Sequence, residues 1–280
     1  MTSNKDKEIK QNDNVETGFF EDGLPYARFG NKPNIMVNIE ALSFTHEPPS
    51  GFRLRMFKNS AKIFTDDYTV YLIGRKQNLP EDYLFDKMAE DYAKTIRREF
   101  KGPVDVMGVS TGGQIAQYLA ADHPDVIRKL VIISAAFRLS ERGAEIERKS
   151  EEYFKQGKYG KSLAALLDLM FSSKFTRSIA KFFTRIFGGM VIGKVEYPND
   201  FLNEIRGDRE MNFKDRLEEI QAPTLILSGD SDIDYSAEDV RVTAENIPNS
   251  KLVIYKGYGH NLTVANREQV QKDILEFLRK

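Results

Sequence analysis

The sequence predicts an α/β fold: a mostly parallel eight-stranded sheet flanked by helices, with one helical insertion. Short apolar runs recur along the chain, and helical stretches separate most of them. Strands without polar alternation that are separated by helices are typical of a parallel sheet covered on both faces. The alternation stops over residues 136–220, where no convincing strand is found. We therefore expect a core of residues 17–135 and 221–280, interrupted by a helical cap of residues 136–220.

The chain is expected to begin with a tail followed by a hairpin. Residues 1–16 are polar and carry charges of both signs, so they predict a disordered tail rather than a secretory signal. Two short apolar runs between Thr17 and Phe29 then flank Asp22-Gly23, a dipeptide that favours a tight hairpin turn. Such an antiparallel pair would make the sheet mixed.

Six further apolar runs are long enough to form buried strands. They cover residues 35–39, 69–73, 104–109, 130–133, 224–228 and 252–255. Between them, apolar residues recur at intervals of three and four, as in Phe85, Met88, Ala89 and Tyr92, which indicates helices with one buried face.

Composition excludes several classes of protein. The 41 basic and 42 acidic residues give a net charge of −1, so the chain lacks the positive field of a nucleic-acid-binding protein. No cysteine is present, and the three histidines, His46, His123 and His260, lie too far apart for a short histidine metal motif. We therefore expect no metal and no cofactor. Because residues 1–16 do not resemble a secretory signal, the sequence predicts a cytoplasmic protein, and it contains no apolar stretch of membrane-spanning length.

One motif predicts the chemistry. Gly108-Val109-Ser110-Thr111-Gly112 has the form G-x-S-x-G, follows an apolar strand and precedes a helical pattern. In this setting the glycines allow a sharp strand-to-helix turn that exposes a nucleophilic serine. The alternative is a glycine-rich turn that serves only close packing.

A nucleophilic serine requires a base and a carboxylate, and both follow later strands. The run 224–228 leads into Gly229-Asp230-Ser231-Asp232, and the run 252–255 leads into Gly257-Tyr258-Gly259-His260. Catalytic groups in parallel sheets gather beyond the carboxyl ends of strands. We therefore expect Ser110, His260 and one of these aspartates to meet.

With these motifs, the chain resembles the α/β-hydrolase-fold serine hydrolases of the capped esterase and lipase type over about residues 17–280. The order serine, acid, histidine matches. The family's G-x-x-D segment corresponds to Asp232, which is favoured over Asp230, with Asp234 third. The resemblance implies that Ser110 attacks an ester carbonyl, His260 carries the proton and Asp232 orients the imidazole. This role requires a neutral imidazole. Because the ordinary pKa of imidazole is about 6.5, turnover should fall as the medium becomes acidic.

The resemblance also implies an oxyanion hole made by the backbone N–H groups of Thr111 and Leu42. The family usually has His-Gly before the second donor, whereas this chain has Glu40-Ala41. A second departure follows the run 69–73, where Gly74-Arg75-Lys76 replaces the family's frequent Asp-x-x-Gly pattern. That difference should affect the shape of the loop rather than the triad.

The predicted cap contains a basic, amphipathic stretch. Between residues 154 and 194, Asp168 alone opposes eight basic side chains: Lys155, Lys158, Lys161, Lys174, Arg177, Lys181, Arg185 and Lys194. At about 100° per residue, four of them form a stripe opposite six apolar residues, Phe175, Ile179, Phe182, Phe183, Ile186 and Phe187. The apolar face either covers an acyl pocket, with the basic face in solvent, or the helix contacts anionic membrane surfaces or recognises acidic or lipid substrates.

The predicted function is hydrolysis of a small carboxylic ester with an apolar acyl or alcohol part. The same fold and triad also serve thioesters, amides, lactones and carbon–carbon bonds, and a haloperoxidase-type side activity uses the same groups. A binding protein that retains the fold without turnover is the alternative from another class.

Overall fold

A computed structural model describes residues 15–170 and 174–280. Residues 1–14 of the predicted tail lie outside this range. Val15 and Glu16, also assigned to the tail, instead begin the first strand, because they pair with Phe29 and Arg28 across the predicted hairpin.

Eight strands form a single sheet in the order β1-β2-β4-β3-β5-β6-β7-β8. The strands are β1 (Val15–Phe19), β2 (Pro25–Phe29), β3 (Asn34–Ile39), β4 (Tyr68–Ile73), β5 (Val104–Val109), β6 (Ile127–Ile133), β7 (Thr224–Gly229) and β8 (Ser250–Tyr255). β2 pairs antiparallel with β1 and β4, and the remaining pairs are parallel. The predicted mixed, mostly parallel sheet is confirmed, and the carboxyl ends of β3 to β8 share one edge.

Ten α-helices are found in the described residues. They are α1 (Gly51–Ala61), α2 (Phe85–Glu99), α3 (Thr111–Asp122), α4 (Glu141–Lys155), α5 (Tyr159–Met170), α6 (Lys174–Ile192), α7 (Pro198–Glu210), α8 (Ala237–Asn246), α9 (Leu262–Ala265) and α10 (Arg267–Arg279). Helices α4 to α7, the inserted helices, lie between β6 and β7, within the segment predicted to be a cap. No helix in the described part of the chain is long and apolar enough to cross a membrane.

Apolar side chains cover both faces of the sheet. Along β5, Val104 and Val106 pack into one buried cluster, and Met107 packs into a second. After α7 the chain returns to the first cluster, where Leu217 and Ile220 are fully buried. Residues 211–220 therefore pack with the core rather than with the inserted helices. Their 3₁₀ helix, Lys214–Glu219, has a spacing close to that of an α-helix, so the sequence did not separate it from the cap.

Candidate active site

Ser110 occupies the turn between β5 and α3. Its backbone has φ +55° and ψ −128°, in the left-handed half of φ space that non-glycine residues seldom adopt. A side chain at Gly108 would place its Cβ 2.2 Å from the oxygen of Gly112. Glycine is therefore required where the strand reverses into the helix, and the reversal leaves the Ser110 side chain at the carboxyl edge of the sheet.

Ser110 meets a histidine and a carboxylate that follow the next strands. His260 Nε2 lies 3.0 Å from Ser110 Oγ, and His260 Nδ1 lies 3.0 Å from Asp232 Oδ2. The other oxygen of Asp232 accepts the backbone N–H groups of Asp234 and Tyr235, which fixes the carboxylate. The structure thus brings together the three side chains singled out from the sequence.

The two loops that carry Asp232 and His260 approach each other closely. At Gly229 a Cβ would lie 2.1 Å from the oxygen of Tyr258, so a side chain there would push the loops apart. Asp230, the competing acid, is exposed and accepts the N–H of Gly257 at 2.7 Å. It stabilises the turn and does not contact His260.

The charge around His260 favours its protonated form. Burial alone would lower the pKa of the imidazole, but the carboxylates of Asp232, Asp234 and Asp208 outweigh that effect and raise it to about 9. The ordinary imidazole pKa of about 6.5 expected from the sequence is therefore too low for His260, which carries a firmly held proton at neutral pH.

Two backbone N–H groups at the predicted oxyanion hole are free to bind a ligand. Within residues 15–170 and 174–280, neither the N–H of Thr111 nor that of Leu42 donates to a protein acceptor. The two segments are in close contact, since a Cβ at Gly112 would lie 2.3 Å from the oxygen of Ile39. This arrangement has the components of an oxyanion hole.

The sequence also matches a model of a known protein family. A family model described as the alpha/beta hydrolase fold covers residues 65–264. The chain belongs to the alpha/beta hydrolase fold family.

Two curated relatives of this alpha/beta hydrolase are a depolymerase and an esterase by name. The chain is 26% identical over 223 residues to a poly(3-hydroxyalkanoate) depolymerase of Ectopseudomonas oleovorans, covering 74% of this chain and 72% of that protein. It is 27% identical over 220 residues to a bifunctional esterase/perhydrolase of Acinetobacter calcoaceticus, covering 74% and 78%. Family and relatives together support a hydrolase.

A solved structure extends the likeness over nearly the whole fold. A hydrolase from Pseudomonas aeruginosa PA01 superposes with a TM-score of 0.76, covering 95% of this alpha/beta hydrolase and 98% of that chain. The sequences are 18% identical, so this likeness concerns the fold alone.

The acidic side of the site was not predicted from the sequence. Asp234, ranked third as the acid, lies with Oδ2 3.5 Å from His260 Nε2, the nitrogen that faces Ser110. Burial raises its pKa to about 6, against the opposing effect of His260. Between about pH 6 and 9 the imidazolium of this hydrolase thus faces carboxylates on both nitrogens. The spacing D-x-D after β7 was the available signal.

Two further carboxyl groups reach the site from the inserted helices. Thr111 Oγ1 donates to Asp208 of α7 at 2.6 Å. Asp208 in turn lies near Glu147 of α4 and raises the pKa of Glu147. Burial is the main cause that raises the pKa of both groups well above the ordinary carboxyl value. Nothing in the sequence pattern distinguishes them from the solvent-exposed acids on the same helices.

His46 has a structural position. Its ring bonds the carbonyl of Lys76 and the carboxylate of Glu204, and it is 2% exposed. It therefore belongs to a buried ion network and does not act as a base toward Ser110. Among the described residues, no group of histidine and acidic side chains is arranged to hold a metal ion.

Helix α6 is oriented opposite to one interpretation of its sequence. Ile179, Phe182, Phe183 and Ile186 are 44%, 60%, 55% and 56% exposed, so this apolar face does not cover a pocket. Lys181, from the basic stripe, instead turns toward α5 and bonds Asp168 at 2.7 Å. Arg185, also of the basic stripe, is exposed, and the side chains of Lys174, Phe175, Arg177 and Phe187 lie outside the described residues.

Glycine contacts explain this orientation. A Cβ at Gly160 of α5 would lie 2.9 Å from the oxygens of Thr184 and Arg185, and a Cβ at Gly188 would lie 3.0 Å from the Cα of Gly160. The two helices therefore approach closely along the glycine side of α6, which leaves its aromatic side in solvent.

Proposed function

We propose that this chain is a serine hydrolase that cleaves a small carboxylic ester. The contact chain Ser110, His260, Asp232, with both hydrogen-bond distances at 3.0 Å, supports the proposal. His260 removes the proton of Ser110 as the hydroxyl attacks the carbonyl carbon, and Asp232 stabilises the imidazolium that forms. The tetrahedral intermediate collapses, and the alkoxide leaves with the proton of His260.

A water molecule then completes the cycle. His260 takes a proton from water, the hydroxide attacks the acyl-enzyme, and the proton returns to Ser110 as the carboxylic acid departs. The N–H groups of Thr111 and Leu42 stabilise the oxyanion in both half-reactions, each worth about 3 to 4 kcal/mol of barrier.

The substrate class follows from the surroundings of the oxyanion turn and from the relatives. Leu42 packs against a buried apolar cluster of Phe154, Phe201 and Ile205 from the inserted helices. Leu42 itself is only partly buried, so it places an apolar side chain at the oxyanion turn, which favours an ester with an apolar acyl or alcohol group. The depolymerase and the esterase among the relatives act by name on polyester or ester bonds, which favours an ester over the other acyl bonds.

An ester panel combined with a covalent probe tests the function. The wild-type protein should hydrolyse 4-nitrophenyl esters with a preference among acyl lengths, and a fluorophosphonate should label it. Ser110→Ala should abolish both. A folded wild-type protein that neither labels nor hydrolyses any ester would instead be a binding protein.

We also propose that α6 contacts membrane surfaces. Its exposed apolar side chains follow helical spacing from Ile179 to Met190, and Arg185 is exposed beside them. Amphipathic helices with an apolar face and basic residues bind the interface of anionic bilayers.

A further inference from the structure

Arg75 is a buried cation beside the predicted oxyanion turn. It follows β4 and is 2% exposed. Its Nη1 donates to the carbonyl of Glu40 at 2.5 Å, and its Nη2 donates to the carbonyl of Ala41 at 3.0 Å. The guanidinium fork therefore holds two consecutive carbonyls of the turn that precedes Leu42.

The charge of Arg75 is balanced by an inserted helix. Arg75 Nε donates to Glu204 Oε1 of α7 at 3.0 Å, and Nη2 bonds the other oxygen of Glu204. Glu204 also accepts the N–H of Ser43 at 3.3 Å and contacts the His46 ring. Burial alone would raise the pKa of Glu204, but Arg75 and His46 lower it below its ordinary value. The carboxylate is thus ionised and held in one place.

Peptide geometry links Arg75 to the oxyanion donor. The carbonyl of Ala41 and the N–H of Leu42 belong to the same planar trans peptide, so they point in opposite directions. A guanidinium that holds the Ala41 oxygen therefore directs the Leu42 N–H away from itself. A charged donor on the oxygen also polarises the peptide, which strengthens the N–H as a donor.

The same turn contacts the nucleophile elbow. A Cβ at Gly112 would lie 2.3 Å from the oxygen of Ile39 and 2.8 Å from that of Glu40. Because Arg75 also bonds the Glu40 carbonyl, the turn is held both by the guanidinium and by contact with the first turn of α3. The spacing between the N–H groups of Leu42 and Thr111 is set by this contact.

We propose that Arg75 is a positioning residue for the oxyanion hole, that it fixes the Ala41–Leu42 peptide in its donor orientation, and that Glu204 of α7 holds it there. The two departures from the family pattern, at Glu40-Ala41 and at Gly74-Arg75, are then parts of one device. The proposal rests on the proposed function. It makes the inserted helices contribute to transition-state stabilisation without touching the substrate.

The expected kinetic signature is a loss in kcat rather than in substrate binding. An oxyanion donor acts on charge that develops in the transition state, so a misplaced donor lowers kcat while KM changes little. Because complete loss of a donor lowers kcat by about 10²- to 10³-fold, Arg75→Met should lower it by about 10- to 100-fold. The acid limb of the pH profile, which reports His260, should stay in place.

Arg128→Met is the matched control. Arg128 also pairs with a buried carboxylate, Asp105, but at the start of β5 and β6, at the opposite edge of the sheet from Ser110. It should lose thermal stability while its kcat stays within about threefold of wild type. This pair of variants separates the loss of a counterion from a buried carboxylate from the loss of positioning.

Further variants apply if Arg75→Met does not fold, since it leaves Glu204 without its cation. The double variant Arg75→Met/Glu204→Met removes both charges and should fold with the same low kcat. Arg75→Lys keeps the charge, but a single ammonium cannot reproduce the planar fork, so its kcat should also fall. Any one of these three variants that is folded tests the positioning role through the same measurement of kcat.

A folded Arg75 variant with wild-type kcat, or one in which only KM rises, overturns the proposal. All assays use the same 4-nitrophenyl ester, with Ser110→Ala as the blank. If the wild-type activity exceeds that of the blank and the Arg75 variants are as active as wild type, the positioning role fails while the proposed function stands. Wild type at the level of the blank would reject the proposed function itself.

Discussion

The candidate site has two halves, and Asp232 in one half differs in its hydrogen bonding from the two buried carboxyl groups in the other. In the strand-end half, Asp232 is fully hydrogen-bonded to His260 and to backbone N–H groups. In the half built by the inserted helices, Glu147 and Asp208 are buried and each has an oxygen without a hydrogen-bond partner among the described residues. The comparison teaches that the strand ends bring Ser110, His260 and Asp232 together and supply the carboxylates that most raise the pKa of His260, whereas the inserted helices add a smaller effect through Asp208.

The strand-end half should show the largest mutational effect. Asp232→Asn keeps the shape of the side chain but removes the charge that stabilises the imidazolium, so we expect kcat to fall by about 10⁴-fold. Steady-state hydrolysis of an activated ester measures this. Asp230→Asn, an exposed neighbour in the same loop, should retain wild-type kcat. If Asp232→Asn kept more than a tenth of the activity, the acid would have to be reassigned.

The pH dependence connects the two halves. The base must be neutral to accept a proton, and with the pKa of His260 raised to about 9 the neutral fraction falls about tenfold for each pH unit below that value. We therefore expect kcat/KM of the free enzyme to be ~50-fold higher at pH 9 than at pH 7. A plateau that already begins at pH 7 would show that the surrounding carboxylates do not hold the proton.

Asp234→Asn should move this profile toward acid. It removes the carboxylate 3.5 Å from His260 Nε2, so the pKa of the imidazole falls and its neutral form becomes commoner at pH 7. We expect the acid limb to shift down by about one pH unit, with kcat/KM at pH 7 rising up to about tenfold. An unchanged limb would exclude Asp234 as a source of the raised pKa.

The helical half should affect stability more than chemistry. Burial first, and then Asp208 and Asp234, raise the pKa of Glu147 well above 4.5. A carboxyl whose pKa is raised on folding stabilises the fold only while protonated, so this contribution is present at low pH and is lost as pH rises. Glu147→Gln imitates the protonated form at all pH values. It should raise Tm by about 2 to 4 °C at pH 8 and by less at pH 5.

Glu145→Gln serves as the control on the same helix. Glu145 is exposed and pairs with Arg142 in a surface salt bridge, which contributes little to stability. Its Tm should match wild type at both pH values. Thermal unfolding followed by circular dichroism decides, and a Glu147→Gln protein less stable than wild type at pH 8 would contradict the raised pKa.

Membrane contact by α6 should be the weakest effect. Wild type should sediment with phosphatidylglycerol vesicles more than with phosphatidylcholine vesicles, and Phe182→Ser/Phe183→Ser should reduce the binding by about tenfold. Phe52→Ser, at an exposed phenylalanine of α1, should leave it unchanged. Equal sedimentation of wild type with both kinds of vesicle would reject the electrostatic part of this proposal, and none with either would reject the contact altogether.

The strand-end half could be predicted because its information is local. The glycines around Ser110 and the G-x-x-D and G-x-G-H segments stand directly after apolar runs, so strand order alone places Ser110, Asp232 and His260 at one edge. The sheet itself was predicted for the same reason and is confirmed. The catalytic roles of the three side chains stay predictions for the experiments above.

The helical half could not be predicted because its contacts are long-range. Arg75 and Glu204 are 129 positions apart, and neither stands in a motif that marks it as buried. For α6 the amphipathic pattern correctly indicated a helix but not which face would be covered. The close approach of α5 and α6 at Gly160 and Gly188 determines which face of α6 is covered. The sequence pattern of one helix does not show where a neighbouring helix packs.

The bonds from Glu204 have a consequence for protein engineering. Helix α7 is joined through that carboxylate to the loops at residues 40–46 and 74–76, and through Asp200 to the N–H groups of Asn78 and Leu79. A chimera that grafts the inserted helices of another family member onto this sheet would therefore separate Arg75 from its counterion. Domain exchange in this scaffold requires that both loops be transplanted together with the helices.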